Sequence, residues 1–304
     1  MELRDADLAV RTRGLTKSFG KRAVVDGLDL AIPRGGVYGF LGPNGSGKST
    51  TMKMLLGLLH PSAGQISLLG EAPWGEARAR LMPRIGSMIE HPPGYGHLTG
   101  AENMRLLARL LNLETTRIDR ALELVRLTDH RDRLQRTYSL GMKQRLGIAM
   151  ALAREPELLI LDEPTNGLDP AGIEEIRELM THLASGGVTV MISSHLLDEI
   201  DRMADVLGVL SQGRLVFQGS REELFERSIP DLLVVTPQAD AAANLIRGCR
   251  REKNGIRVQG CGQEDAARLI VRLVQAGIPI HEVHRLQQSL EEVFMDLTGG
   301  VGAL

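Results

Sequence analysis

The segment GPNGSGKST, from Gly42 to Thr50, contains residue types whose spacing is suited to binding phosphate. Its glycines bracket four residues and precede a Lys-Ser pair, which is the pattern of a phosphate-binding loop. Glycines let backbone N–H groups approach phosphate oxygens, while Lys48 reaches the phosphates and the Ser49 hydroxyl binds Mg²⁺. The candidate nucleotide-binding residues of this segment are Gly42, Pro43, Asn44, Gly45, Ser46, Gly47, Lys48, Ser49 and Thr50.

Two adjacent carboxylates follow the apolar run from Leu158 to Leu161. Such a run predicts a buried parallel strand, and ligands of doubly wound sheets bind at the carboxyl ends of the strands. Asp162 is therefore a candidate Mg²⁺ ligand together with Ser49. Glu163 is a candidate base that activates a water molecule.

A second strand is predicted at the start of VTVMISSHLLDEI, and it ends at Ser193, Ser194 and His195. A histidine in this position usually caps a helix or packs against it. Here it falls on the same sheet edge as Lys48 and Glu163. We therefore interpret Lys48, Glu163 and His195 as a catalytic set.

The hydrophobic pattern predicts the elements that must position these residues. Gly36–Leu41 is a buried strand that runs into the phosphate loop, and the apolar spacing after Ser49 predicts a helix. Residues 9–32 are predicted to form short antiparallel strands, and residues 100–155 to be helical throughout. A hairpin is predicted around Gln212-Gly213. The fold class is therefore α/β, with a nucleotide-binding domain at 1–225 that contains a helical insertion at about 91–155.

Two further residues have alternative interpretations. Phe19 precedes Gly20 and is either a small-core aromatic or a platform under a purine ring, and its position favours neither. Ser139 precedes a long predicted helix, where a serine usually only caps the helix.

The segment 226–304 differs in character from the rest of the chain. Its pattern predicts strand, helix, strand, helix, strand, helix, which indicates a small α+β module with ferredoxin-like packing. We find no candidate chemistry in it.

Composition limits the class of protein. The net charge of −2 comes without a basic block and the aromatic content is 3%, so we expect no nucleic-acid partner. The sequence contains no signal-peptide pattern and no apolar run of the roughly 20 residues that a membrane span needs. Cys249 and Cys261 lack metal-type spacing and are expected to be free thiols.

Taken together, these motifs resemble the ATP-binding subunit of ABC transporters over about residues 8–225. The resemblance implies a P-loop NTPase (RecA-like) fold with an antiparallel β subdomain, and ATP hydrolysis with ATP and Mg²⁺ as cofactors. It implies that Phe19 stacks on adenine. The segment YSLGMKQR resembles the signature motif, so that Ser139 and Gly141 of one subunit complete the ATP site of another, although Leu140 replaces a glycine.

Glu90 stands where the family normally has a glutamine that touches Mg²⁺ or the attacking water, so the resemblance makes it a third candidate metal ligand. This glutamate and the segment IEHPPGYGHLTGAENM resemble the bacitracin-resistance and lantibiotic-immunity branch. The branch implies a motor subunit that exports or clears a peptide antibiotic or another amphipathic drug. It further implies integral membrane permease subunits on separate chains, a homodimer or paralogue dimer of ATPase subunits, and a cytoplasmic location at the inner face of the membrane.

The alternatives are an ABC-type ATP switch that acts on nucleic acid or in translation, and an uptake ATPase. Translation-type relatives carry two cassettes, whereas this sequence has a single phosphate loop. DNA-clamping relatives separate the phosphate loop from the signature motif by a long coiled coil, for which this chain has no room. The identity of the membrane subunit would discriminate uptake from export.

Overall fold

The computed structural model describes residues 4–195, 200, 202–226, 229–286 and 292–295. The chain divides into two compact units between Ser220 and Arg221. The sequence predicted this division at 225/226, which lies within the short helix Arg221–Glu226 and not before it. Within the described residues, no helix has both the length and the apolar character that crossing a membrane requires.

The N-terminal unit contains two sheets. Its strands are β1 Leu8–Phe19, β2 Arg22–Leu28, β3 Ala31–Pro33, β4 Gly36–Leu41, β5 Ala63–Leu68, β6 Ile85–Met88, β7 Leu158–Asp162, β8 Thr189–Ser194, β9 Val206–Ser211 and β10 Arg214–Gly219. The larger sheet has the order β10-β9-β4-β8-β7-β6, in which β10 alone is antiparallel to its neighbour among the described strands. Each residue of β7 is buried, as the apolar run predicts for a central parallel strand.

The smaller sheet is antiparallel and is built around β1, which pairs with β2, β3 and β5. The prediction of antiparallel strands in this region is confirmed. The prediction that they are all short is wrong for β1, which is 12 residues long. Register shifts along β1 allow it to pair with different strands along its length.

The helices of the N-terminal unit are α1 Lys48–Leu55, α2 Ala77–Leu81, α3 Gly100–Leu111, α4 Thr115–Leu124, α5 Leu140–Leu152 and α6 Pro170–Ser185. The helical insertion is confirmed in α3 and α4, but the prediction of helix throughout 100–155 is wrong. Asn112 and Arg126 adopt left-handed backbone conformations that end α3 and α4. The polar stretch before α5 forms 3₁₀ turns instead, and it is held by hydrogen bonds such as that from Gln135 N–H to the Leu98 carbonyl.

The C-terminal unit consists of α7 Arg221–Glu226, β11 Asp231–Val235, α8 Ala239–Leu245, β12 Cys249–Glu252, β13 Gly255–Val258, α9 Gln263–Gln275 and β14 Glu282–Leu286, followed by helical residues 292–295. Its antiparallel sheet has the order β12-β13-β11-β14, which is the ferredoxin-like arrangement. The strand β12 was not predicted from the sequence, because its residues CRRE do not alternate between apolar and polar side chains. Most of the predicted final helix lies outside the described residues. Cys249 and Cys261 are free thiols, as predicted.

Candidate nucleotide site

The phosphate loop joins β4 to α1, as the motif requires. The loop is close-packed: a Cβ at position 42 would lie 2.4 Å from the Leu210 carbonyl oxygen, and one at position 47 would lie 2.8 Å from the Val24 carbonyl oxygen. Gly47 also has a φ of 111°, which favours glycine. These two glycines are therefore required by the packing of the loop as well as by access for phosphate.

Lys48 is the first residue of α1, and its side chain is buried across the loop. Its Nζ donates to the Gly42 carbonyl at 2.7 Å and to the Pro43 carbonyl at 3.4 Å, and it lies 3.6 Å from Glu163 Oε1. Burial lowers the pKa of the ammonium, while the carboxylates of Glu163 and Asp162 raise it. A cation in this setting is only partly compensated by the protein, which suits it to an anionic ligand.

The hairpin between β9 and β10 supports the loop. Gly213 N–H donates to the Ser46 carbonyl at 3.0 Å, and the Gly213 carbonyl accepts from Asp26 N–H at 2.9 Å. The Gln212-Gly213 turn was predicted from its composition, and both residues have positive φ. Its contact with the loop was not predicted, because no local signal connects segments so far apart in sequence.

Asp162 and Glu163 lie at the carboxyl end of β7, next to β8. Strand register pairs Asp162 with Ser193, whose Oγ donates to Asp162 Oδ1 at 2.5 Å and accepts from Glu163 N–H at 3.0 Å. One hydroxyl therefore fixes both carboxylate residues. The position of Ser193 at the strand end was predicted, but its role was not, because the role depends on the register between β7 and β8.

His195 contacts Glu163: its Nδ1 is 3.1 Å from Glu163 Oε2. Glu163 has a φ of 47°, an unfavourable value for a residue with a side chain that persists only where the surroundings impose it. One carboxylate oxygen thus faces Lys48 and the other faces His195. The structure brings together the three residues that the sequence interpreted as a catalytic set.

Asp162 and Glu163 border a cleft of about 470 Å³, whereas Lys48 and His195 are not among the described residues that line it. The lining includes candidate residues from three separate parts of the sequence, which are Ser49, Glu90, Asp162 and Glu163. Leu140, Gln144, Asn166 and Gly167 line it as well. The predicted Mg²⁺ ligands therefore share one cavity with the predicted base.

Glu90 lies at the exposed rim of this cleft. Its Oε1 is 2.5 Å from Lys53 Nζ, and this hydrogen bond lowers the pKa of the carboxyl group. The sequence analysis made Glu90 a candidate metal ligand but did not single out Lys53. No local signal connects the two, since they lie on α1 and on the loop after β6.

Phe19, Ser139 and Gly141 are not part of the cleft lining formed by the described residues. Phe19 is 53% exposed at the end of β1, with Lys17 Nζ 5.2 Å from the ring centroid. Ser139 caps α5, because its Oγ accepts from Met142 N–H at 3.2 Å. A Cβ at Gly141 would make only an ordinary contact, 3.4 Å from Leu168. The fold of the single chain therefore does not require glycine at 141.

The residues of the site fit ATP with Mg²⁺. Ser46 Oγ is buried without a hydrogen-bond partner among the described residues, in a loop where phosphate oxygens would bind. A serine hydroxyl and carboxylates are the oxygen ligands that Mg²⁺ prefers. No cluster of three or more His, Cys, Asp or Glu in the described part of the chain could hold a metal alone.

Comparison with known proteins identifies the family. A family model described as "ABC transporter" matches residues 25–166. The bacitracin transport ATP-binding protein BcrA of Enterococcus faecalis is 38% identical over 97% of this chain and 98% of its own length. The chain belongs to the ABC transporter family of ATP-binding proteins.

Two further similarities agree with this ABC assignment. The lantibiotic transport ATP-binding protein SrtF of Streptococcus pyogenes is 43% identical over 72% of this chain and 97% of its own length. The solved structure of cbiO1 from Clostridium perfringens, part of an ABC transporter complex, has a TM-score of 0.67 at 30% identity. It covers 73% of this chain and 92% of that chain.

The predictions of family and fold are thus confirmed. The chain is an ABC ATPase with an antiparallel β subdomain, a helical insertion and a C-terminal α+β unit. The ABC domain binds ATP, and the chain is an ATP-hydrolysing subunit. The relatives do not favour the alternative of an ATP switch outside transport.

Proposed function

We propose that this ABC ATPase powers the export or clearance of a peptide antibiotic, or of another amphipathic drug, through a separate integral membrane permease. The observation that carries the proposal is the similarity to a bacitracin transport subunit over nearly the whole chain. Because the match includes the C-terminal unit, it extends beyond the nucleotide-binding domain that transporters of many substrates share. The subunit is then cytoplasmic and peripheral at the inner face of the membrane.

In the proposed mechanism, the loop amides and Lys48 hold the phosphates of ATP. Ser49 and Asp162 would hold Mg²⁺, and Mg²⁺ would supply positive charge to the phosphate oxygens. Ser193 keeps Asp162 in place, since its hydroxyl donates to that carboxylate. This arrangement acts by positioning and by electrostatic stabilisation, as phosphoryl transfer requires.

Glu163 orients the attacking water and accepts its proton. His195 holds the far oxygen of that carboxylate, and Ser193 holds the backbone of the same residue. We also propose that His195 contacts the γ-phosphate side of the bound ATP. Glu90 is the third candidate at this site, as a ligand for Mg²⁺ or for the water.

We further propose a head-to-tail dimer of ATPase subunits, formed with a second copy or with a paralogue. Ser139 and Gly141 would complete the ATP site of the other subunit, and Phe19 would stack on the adenine ring. The support is that Ser139 lies exposed at the N-terminus of α5, which favours bound anions, and that Gly141 is not needed by its own fold.

The experiment that tests the transport proposal is antibiotic protection in a sensitive bacterium. The chain is co-expressed with a candidate membrane permease, and the inhibitory concentrations of bacitracin, a lantibiotic and an anthracycline are measured. We expect protection against a peptide antibiotic that is lost with Glu163→Gln. Equal protection by the wild type and this variant, or by neither, would contradict the proposal.

A further inference from the structure

The ion pair between Lys53 and Glu90 lies beside the proposed nucleotide cleft. Lys53 follows Ser49 by one turn of α1, so the two side chains share one face of that helix. Its Nζ is 2.5 Å from Glu90 Oε1, and Glu90 lines the cleft together with Ser49. Lys53 lies outside the motif segment Gly42–Thr50, and none of the roles given above involves it.

The backbone of Glu90 also adopts an uncommon conformation. Its φ is 67°, in the left-handed region that residues with a side chain rarely adopt. Such a conformation persists only where the surrounding structure imposes it, and it is common at functional sites. The backbone and the ion pair are independent features, and together they fix the carboxylate at the rim of the cleft.

The charges around the cleft indicate how the ion pair between Lys53 and Glu90 affects an anionic ligand. Asp162, Glu163 and Glu90 place three carboxylates around the cavity where a triphosphate would bind. Lys48 lies 3.6 Å from Glu163, and Lys53 pairs with Glu90. Without Lys53, the carboxylate of Glu90 would face the cleft uncompensated, and it would repel an anionic ligand.

We propose that Lys53 is a positioning residue that acts on nucleotide binding through Glu90. It holds the carboxylate at the rim and cancels its charge, so that a bound triphosphate does not meet an additional free negative group. The inference rests on the proposed nucleotide-binding role of this cleft. It assigns a task to a lysine that the family motifs leave out.

Two other roles for Lys53 must be distinguished from this one. It lies in the last turn of α1, where a positive charge stabilises a helix, and it could attract phosphate directly. A direct effect would persist after the charge of Glu90 is removed, whereas an effect through Glu90 would disappear. A double-mutant cycle separates the two.

The experiment measures the Kd of a non-hydrolysable ATP analogue with Mg²⁺, by calorimetry on the full chain. Lys53→Met should weaken binding about fivefold, the scale of an exposed ion pair. In the Glu90→Gln background, the same change should weaken it less than about twofold. Lys53→Arg should bind like the wild type. Arg109→Met, which removes an exposed charge from α3, is the matched control and should have no effect.

Equal weakening by Lys53→Met in both backgrounds, or weakening in neither, would overturn the inference. If Lys53→Met does not fold, the charge swap Lys53→Glu with Glu90→Lys replaces it, and this swap must recover the affinity that Lys53→Glu alone loses. The proposed nucleotide site has its own control in Lys48→Ala. If Lys48→Ala loses binding but the double-mutant cycle shows no coupling between Lys53 and Glu90, the inference about Lys53 is rejected and the proposed nucleotide site is kept. Absence of binding by the wild type rejects both.

Discussion

At the scale of single residues, Lys48 illustrates a conflict between stability and function. The Lys48 side chain is 5% exposed, and burial lowers the pKa of its ammonium, which means that the folded protein disfavours the charge. Lys48→Met removes that charge and keeps most of the side-chain volume. We expect ATP affinity to fall about 10- to 100-fold, the range for hydrogen bonds to charged groups, while the Tm without nucleotide stays level or rises.

Calorimetric titration and thermal melts with and without ATP check this prediction. Unchanged ATP affinity would show that Lys48 does not hold the phosphates. A large fall in Tm without nucleotide would show that its hydrogen bonds to the loop carbonyls outweigh the cost of its burial.

Ser193 is the residue whose role the sequence least revealed. Its hydroxyl contacts the side chain of Asp162 and the backbone of Glu163, and it is fully buried. Ser193→Ala leaves a buried N–H without this acceptor and should cost about 1–3 kcal/mol of unfolding free energy. Because the base loses its orientation, kcat should fall about tenfold with little change in KM.

The matched control is Ser87→Ala, which makes the same change at an exposed position on β6 of the same sheet. Steady-state ATPase kinetics and denaturant unfolding of both variants are the measurements. A wild-type kcat in Ser193→Ala would mean that Ser193 does not position the catalytic carboxylates.

At the scale of elements, the start of α5 tests the proposed dimer. Ser139 is exposed and caps this helix, and nothing in the described fold of one chain excludes a larger side chain there. Ser139→Arg should leave ATP binding by the isolated subunit unchanged. It should abolish ATP hydrolysis and ATP-dependent dimerisation, because the arginine would block the site of the other subunit. Gel filtration with ATP and turnover assays check this, and full hydrolysis by the variant would refute the dimer.

The division between the two units gives a second prediction at this scale. The C-terminal unit has its own apolar core, and the candidate site residues all precede Ser220. A chain truncated after Ser220 should fold and bind ATP within about threefold of the full chain, because the lost residues lie outside the candidate site. Circular dichroism and calorimetry are the measurements. A folded truncated chain that fails to bind ATP would contradict the division.

The parts of the fold and of the candidate site that the sequence predicts are those that depend on local contacts. The phosphate loop, the carboxylates at the end of β7 and the Gln212-Gly213 turn are contiguous patterns, and the structure reproduces their local geometry. The contact of Ser193 with Asp162 and the pair of Lys53 with Glu90 depend on how distant segments pair, and no window of sequence contains both partners. The strand β12 was missed for another reason: it is polar, and its place in the sheet comes from pairing with β13.

At the scale of the whole molecule, the chain is an ATPase in which Glu163, the proposed catalytic carboxylate, lies between Lys48 and His195. The two units have separate cores, and the proposed chemistry lies entirely in the first. The similarity to a bacitracin transport subunit covers both units.

The most direct test of the central claim is Glu163→Gln in the full chain. The change preserves shape and keeps Lys48, Ser49 and Asp162, so only the proton-accepting carboxylate is lost. We expect ATP to bind with an affinity similar to that of the wild type, while hydrolysis falls by about 10²- to 10⁴-fold, the scale of general-base catalysis. Near-normal turnover with normal binding would contradict the assignment of Glu163 as the base, and with it the mechanism proposed for this site.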